Sequence, residues 1–164
     1  TCCFCGFKSR NQLNVVNVDG NYTNNKLSNM AASCMLCAQC FFIESVGQSN
    51  FGGGTLVLLP EISQGQLNAL CHVLFSQMAL GTNNLANAKN IYRALKLRAQ
   101  LIEKQLGEGM SNPSTYGRVL IECDDSEAKS LHRNFIQKMR LLPAIHQFTL
   151  DIQNSCLASI DIMG

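Results

Sequence analysis

The sequence predicts an α+β protein: a small cysteine-rich ββα module over residues 1–60, followed by a mainly helical region over residues 61–164 packed on it as one compact unit. Three observations lead there. Residues 1–60 are rich in Cys, Asn and Gly and carry a strand-and-turn pattern. Two C-x-x-C pairs, Cys2/Cys5 and Cys34/Cys37, bracket most of that stretch. From residue 61 onward, apolar residues recur at helical spacing.

Within the module, Leu13 to Val18 is β-branched and apolar enough for a strand. Asp19 to Asn25 is turn chemistry, opened by Asp19-Gly20. A short second strand near Tyr22 or Lys26 completes a hairpin. Ser28 or Asn29 then caps a helix that carries Cys34 and Cys37 and runs to about Val46. Gly52-Gly53-Gly54 reads as a flexible turn. It lacks the Gly-Lys-Ser/Thr ending of a phosphate loop and receives no phosphate role. Thr55 to Leu59 reads as a strand ending at Pro60.

The helical region opens on Ser63 and Gln66, an S-x-x-Q capping box with Ile62 and Leu67 placed as a staple. Leu67, Leu70, Cys71, Leu74 and Met78 share one face, and Gly81 stops the helix. From Ile62 to Ala88 only His72 can carry charge, which predicts a largely buried helix. A second helix is expected from about Leu85 to Leu106, with Ala88, Ile91, Leu95, Ala99, Ile102 and Leu106 as its buried stripe. Lys89, Arg93, Lys96 and Lys104 line another face, read as solvated; its rival reading is a dock for an acidic peptide. Asn112-Pro113 opens a further segment to Cys123. Asp124 and Glu127 start a helix that Pro143 stops, and Ala144 to Ile160 forms a last amphipathic one.

The chain has 164 residues, a net charge of +2 and 46% hydrophobic residues. That hydrophobic content supports a packed core and argues against disorder. Near-neutrality gives no support to nucleic-acid binding, which rests on a basic excess. Lys8, Arg10 and Lys26 are a thin cationic footprint for the module. No segment resembles a signal peptide, and no apolar run reaches the roughly 18 residues of a membrane span.

The nine cysteines are odd in number. With tight C-x-x-C spacing, they fit metal ligation plus free thiols in a reducing compartment better than a secreted disulfide framework. Two knuckles supply the four thiolates of a closed structural zinc site: Cys2, Cys5, Cys34 and Cys37. Cys37 and Cys40 are the alternative second pair, and Cys3 is a spare. An iron–sulfur cluster is a rival, but no Cys-Pro follows Cys40. A dithiol redox site needs one isolated pair, and there are two. Cys71, Cys123 and Cys156 sit in apolar segments and read as buried hydrophobes.

Knuckle, strand, Asp-turn, Asn-rich loop, Ser28-Asn29-Met30 and then C-x-x-C resemble the zinc-bearing HNH endonucleases. The resemblance implies a zinc-bound HNH-like ββα module in which a His following the strand-end acid activates water. Here Asp19 matches that acid, Gly20 stands in place of the general-base His, Asn24 or Asn25 matches the central Asn, and Asn29 matches the Asn opening the helix. Ala38 stands where many members carry a His. The remaining histidines, His72, His132 and His146, lie outside the module. A general base must reach the water it activates, so no catalytic residue and no nuclease activity are expected. His72 in a core is the plainer reading of the nearest candidate.

A longer resemblance runs through Asp19 to Asn29, Cys37 to Gly47, Gly52 to Leu56, Leu59-Pro60-Glu61, Leu67 to Phe75, Gly107-Glu108-Gly109 to Asn112-Pro113, and Arg140 to Pro143. In these segments the chain is similar to the DotN (IcmJ) family. The resemblance implies a component of the type IVB (Dot/Icm) secretion system. Its place is the cytoplasmic coupling complex at the inner membrane, where it binds the C-terminal region of the coupling ATPase DotL beside IcmS, IcmW and LvgA. Structural zinc is the implied cofactor, and the partner-binding residues stay unassigned.

Overall fold

The computed structural model describes residues 1–9, 12–123, 135–146 and 148. Helices and strands are mixed. Strand β1 (Leu13–Asn17) pairs antiparallel with β2 (Met30–Cys34), with Leu13 opposite Cys34 and Asn17 opposite Met30. Helix α1 (Met35–Ala38) follows directly, so the order in the module is strand, strand, helix. Single 3₁₀ turns occupy Leu27–Asn29, Gln39–Phe41 and Ile43–Ser45.

The hairpin differs from expectation in its second strand. Tyr22 and Lys26 lie in the connecting loop, and the strand is Met30–Cys34. No helix runs from Ser28 to Val46; Cys34 ends a strand and Cys37 sits on a single turn. Met-Ala-Ala-Ser-Cys-Met-Leu is helix-favouring locally, but pairing with β1 overrides that weak propensity.

Strand β3 (Gly54–Leu58) pairs antiparallel with β4 (Met139–Pro143), Leu56 opposite Leu141. Both faces of this two-stranded sheet are covered. Val57, Leu59 and Leu142 face the core that holds Cys2, Cys34, Leu36, Cys37, Leu67, Cys71 and Phe75. Leu56, Met139 and Leu141 face a second cluster with Val46, Ile102 and Tyr116. Residues 139–142 were expected inside a helix that Pro143 stops. Apolar runs buried on both faces lose their alternation, and their partner strand lies far away in sequence.

Helix α2 (Gln64–Leu80) begins on the expected capping box: the Ser63 hydroxyl accepts the Gln66 N–H at 3.2 Å, and Gln66 Oε1 accepts the Ser63 N–H at 2.8 Å. Gly81 ends it at φ +61°, a left-handed conformation that costs glycine least. Leu67, Asn68, Cys71, Leu74 and Phe75 are buried, while Val73 and Leu80 are exposed, so burial is confined to one side of this charge-poor helix.

The expected single helix over 85–106 is two, α3 (Leu85–Leu97) and α4 (Ala99–Leu106). The break falls at Arg98, whose guanidinium meets Glu61 at 2.8 Å and the Leu58 carbonyl at 3.3 Å. The turn lets α3 pack on α2 while α4 packs on β3. Ile91, expected in the buried stripe, is exposed. Lys89, Arg93, Lys96 and Lys104 are all exposed.

Helix α5 (Pro113–Glu122) starts as expected at Asn112, whose Oδ1 accepts the Ser114 and Thr115 N–H groups. It packs on the 3₁₀ turn at Ile43–Ser45. The expected helix start at Asp124 and Glu127, most of Ala144 to Ile160, and Arg10, His132 and Cys156 lie outside the described residues. Among the described residues no helix is long and apolar enough to cross a membrane.

Candidate metal centre

The first knuckle is a tight loop. The Cys2 N–H donates to the Phe7 carbonyl at 2.8 Å and the Gly6 N–H to the Cys2 carbonyl at 3.1 Å. Gly6, at φ +77°, supplies the left-handed residue this reversal requires. The Cys3 N–H donates to the Ala32 carbonyl at 2.9 Å, fastening the knuckle to β2. The second pair forms where β2 becomes α1: Cys34 caps the helix and Cys37 lies within it.

The structure thus gathers four thiols from two chain segments. The sulfurs of Cys2, Cys5, Cys34 and Cys37 lie within 4.8 Å of one another, with Cys5 Sγ and Cys34 Sγ 3.6 Å apart. A tetrahedral ion with metal–sulfur bonds of about 2.3 Å sets its sulfurs about 3.8 Å apart. The donor set and its spacing are therefore compatible with a bound metal. Cys40, the alternative ligand, stands outside this group and donates to the Leu36 carbonyl at 3.4 Å. Cys3 is exposed. Cys71 is fully buried, as expected, and Cys123 only partly.

Crowding four thiols perturbs them unequally. Hydrogen bonds from Cys34 and then Cys37 hold the Cys5 thiol far below its ordinary range. Hydrogen bonds with Cys34 and Cys5, then burial, push Cys37 far up. At Cys34 the bond with Cys37 pulls down, but its contact with Cys5 and its burial raise it overall. A dication held by all four sulfurs would favour the thiolate form at each of them. Burial is the main cause that raises Cys40 to about 12, against a hydrogen bond from Asn68 and with a smaller push from Cys5, and it is likewise the main cause that raises Cys71 to about 12.

Two residues of α2 reach the cluster that sequence reasoning did not place there. His72 sets Nε2 3.3 Å from Cys34 Sγ and stacks its ring on Phe7, with centroids 3.9 Å apart. Asn68, fully buried, donates from Nδ2 to Cys37 Sγ at 3.2 Å and to the Leu36 carbonyl at 3.1 Å. Their four-residue spacing on a charge-poor helix was the available signal.

The positions that the HNH resemblance singled out, Asp19, Asn24 and Asn29, form a separate polar network. The Asp19 carboxylate accepts from Asn24 Nδ2 (2.7 Å), Asn29 Nδ2 (2.8 Å) and the Asn21 N–H (2.9 Å). These bonds, that from Asn24 first, hold its carboxyl below the usual carboxylate range. Gly20 sits at φ +71° with open space where a side chain would begin. Beside this loop Tyr22 stacks on Phe42, and Phe42 meets Phe51 edge-on.

No family model matches this chain. Among curated proteins it is similar to the type 4 apparatus protein DotN of Legionella pneumophila subsp. pneumophila strain Philadelphia 1, at 43% identity over 161 residues. The match covers 98% of this chain and 75% of that protein. Identity at that level along nearly the whole length shows descent from a common protein: the chain belongs to the DotN family.

Proposed function

We propose that this protein is a zinc-stabilised scaffold of HNH-like ancestry, without nuclease activity, that serves a type IVB (Dot/Icm) secretion system. Its work is protein–protein binding in the coupling complex: it engages the C-terminal region of the coupling ATPase DotL, in an assembly with IcmS, IcmW and LvgA, and supports effector export. The observation that carries the reading is the 98% coverage by a relative named as a type 4 apparatus protein. Its site is cytoplasmic, at the inner membrane, reached through the partner.

Zinc is the proposed ion. Four thiolates in tetrahedral reach suit it, and it brings no redox chemistry. Cys2, Cys5, Cys34 and Cys37 are the proposed ligands, supported by the convergence of their sulfurs. The ion fastens the first knuckle to the junction of β2 and α1 within residues 1–60.

Loss of hydrolysis rests on chemistry. Asp19 spends both carboxylate oxygens on amides of its own loop. Gly20 offers no base. His72 is committed to Phe7 and Cys34. A site without a positioned base and without free metal ligands gives water no route to become a nucleophile.

Capture of the purified chain by an immobilised DotL C-terminal region at near-physiological salt tests the reading. Retention is expected; absence of binding contradicts it. Cleavage of supercoiled plasmid with Mg²⁺ or Mn²⁺, lost on His72→Ala, would instead establish a nuclease.

A further inference from the structure

We infer that Asn68 is a positioning residue of the cysteine centre, fixed by a hydrogen-bond relay that starts on the backbone of β4, passes through Gln64 and ends as a donor on Cys37 sulfur. The inference rests on the zinc reading above and adds the residues that hold the centre.

The relay has one polarity. A backbone N–H can only donate, so the Leu141 N–H at 2.8 Å requires the oxygen, Oε1, of Gln64. Gln64 Nε2 then donates to the Leu141 carbonyl at 2.8 Å and to Asn68 Oδ1 at 3.0 Å. With its oxygen so used, Asn68 turns Nδ2 to the Leu36 carbonyl and to Cys37 Sγ, with Cys40 Sγ further off at 3.9 Å. A flipped Asn68 would set its oxygen against the Leu36 carbonyl and its NH₂ against the Gln64 NH₂. It is fully buried, so no solvent relieves such a clash.

A metal-bound thiolate has lone pairs and no proton, so its remaining need is a donor. Asn68 supplies one to Cys37. One turn later, His72 presents Nε2 to Cys34 from a ring held flat on Phe7. Helix α2 thus serves both sulfurs of the second pair. Hydrogen bonds to thiolate sulfur draw off electron density and lower its nucleophilicity. The ion is thereby held against electrophiles and chelators. Gln64 also takes both backbone groups of Leu141 on the side of β4 away from β3, as a third strand would. The sheet edge and the metal centre therefore share one chain of hydrogen bonds.

The test uses the full zinc-loaded chain with Asn68→Leu, Gln64→Leu and His72→Phe, the last keeping the stack on Phe7. Zinc release during reaction with excess N-ethylmaleimide is followed with a chromogenic chelator. Sulfur-to-cobalt charge-transfer absorption is read on the cobalt-substituted protein. Asn68→Leu is expected to bind zinc about 10-fold more weakly, to release it faster and to move the charge-transfer band to lower energy. Gln64→Leu, remote from the sulfurs, moves both readouts in the same direction. A change in overall stability alone does not move that band. If Asn68→Leu fails to fold, Gln64→Leu and His72→Phe carry the comparison. Wild-type release rates and band energies in every folded variant, with zinc bound, overturn the inference alone. A zinc-free wild type overturns the metal reading and the inference with it.

Discussion

Asp19 and Asn29 hold each other across the base of the loop that joins β1 to β2: Asn29 Nδ2 donates to Asp19 Oδ1 at 2.8 Å, and the Asp19 N–H donates back to Asn29 Oδ1 at 3.1 Å. Asn29 also reaches the Asn24 carbonyl at 2.8 Å. These bonds close the loop between β1 and β2. The Asp19 carboxyl titrates below its unfolded range. Its contribution is thus fully present above its unfolded value of about 3.9. It fades as pH falls through the lower folded value. Protection of the Asn21 amide, its exchange measured against the intrinsic rate at each pH, is expected to hold from neutrality down to about pH 4 and to fall below it. In Asp19→Ala that protection is lost throughout.

On the proposed HNH-like ancestry, Gly20→His supplies the general-base imidazole in sequence only. Position 20 lies at φ +71°, where a residue bearing a β-carbon is strained by about 1 kcal/mol, and the neighbouring carboxylate remains tied to Asn24 and Asn29. The variant is expected to fold with slightly reduced stability and to leave supercoiled plasmid intact with Mg²⁺ or Mn²⁺. Metal-dependent nicking by it would show that a single lost residue separates this chain from catalysis.

Two glycines set the approach of neighbouring elements. A β-carbon on Gly65 would run into the Phe4 carbonyl of the first knuckle. One on Gly117 would lie 2.6 Å from the Glu44 nitrogen. Gly65→Ala and Gly117→Ala are each expected to cost about 1–3 kcal/mol by overpacking, measured by urea unfolding. Only Gly65→Ala is expected also to hasten zinc loss to a chelator, because only it displaces a knuckle.

Capping offers an independent calibration. Ser63→Ala removes the acceptor for the Gln66 N–H and is expected to cost about 1 kcal/mol without altering metal content. A larger effect, or loss of metal, would mean that the start of α2 carries the centre more directly than Asn68 and His72 do.

What was readable in the sequence was local. Ser63 and Gln66, Gly81, Asn112-Pro113 and the Asp19-Gly20 turn each act within a few residues and lie where expected. The cysteine pairs were legible because C-x-x-C spacing is itself a geometry. The misses were non-local. Met30–Cys34 becomes a strand only because β1 lies beside it, and Met139–Pro143 only because β3 does. The break at Arg98 follows from a guanidinium reaching residues 37 and 40 positions away, at Glu61 and Leu58. His72 read as a core residue and Asn68 received no role, because nothing in their own helix shows that thiols stand opposite.

The central claim is that one ion joins the two cysteine pairs, and native mass spectrometry of the purified chain beside Cys5→Ser tests it most directly. One zinc per wild-type chain is expected. Cys5→Ser should lose the metal and about 3 kcal/mol or more of stability. A natively folded wild type carrying no metal, or a Cys5→Ser protein with unchanged zinc content and thermal stability, would contradict the account.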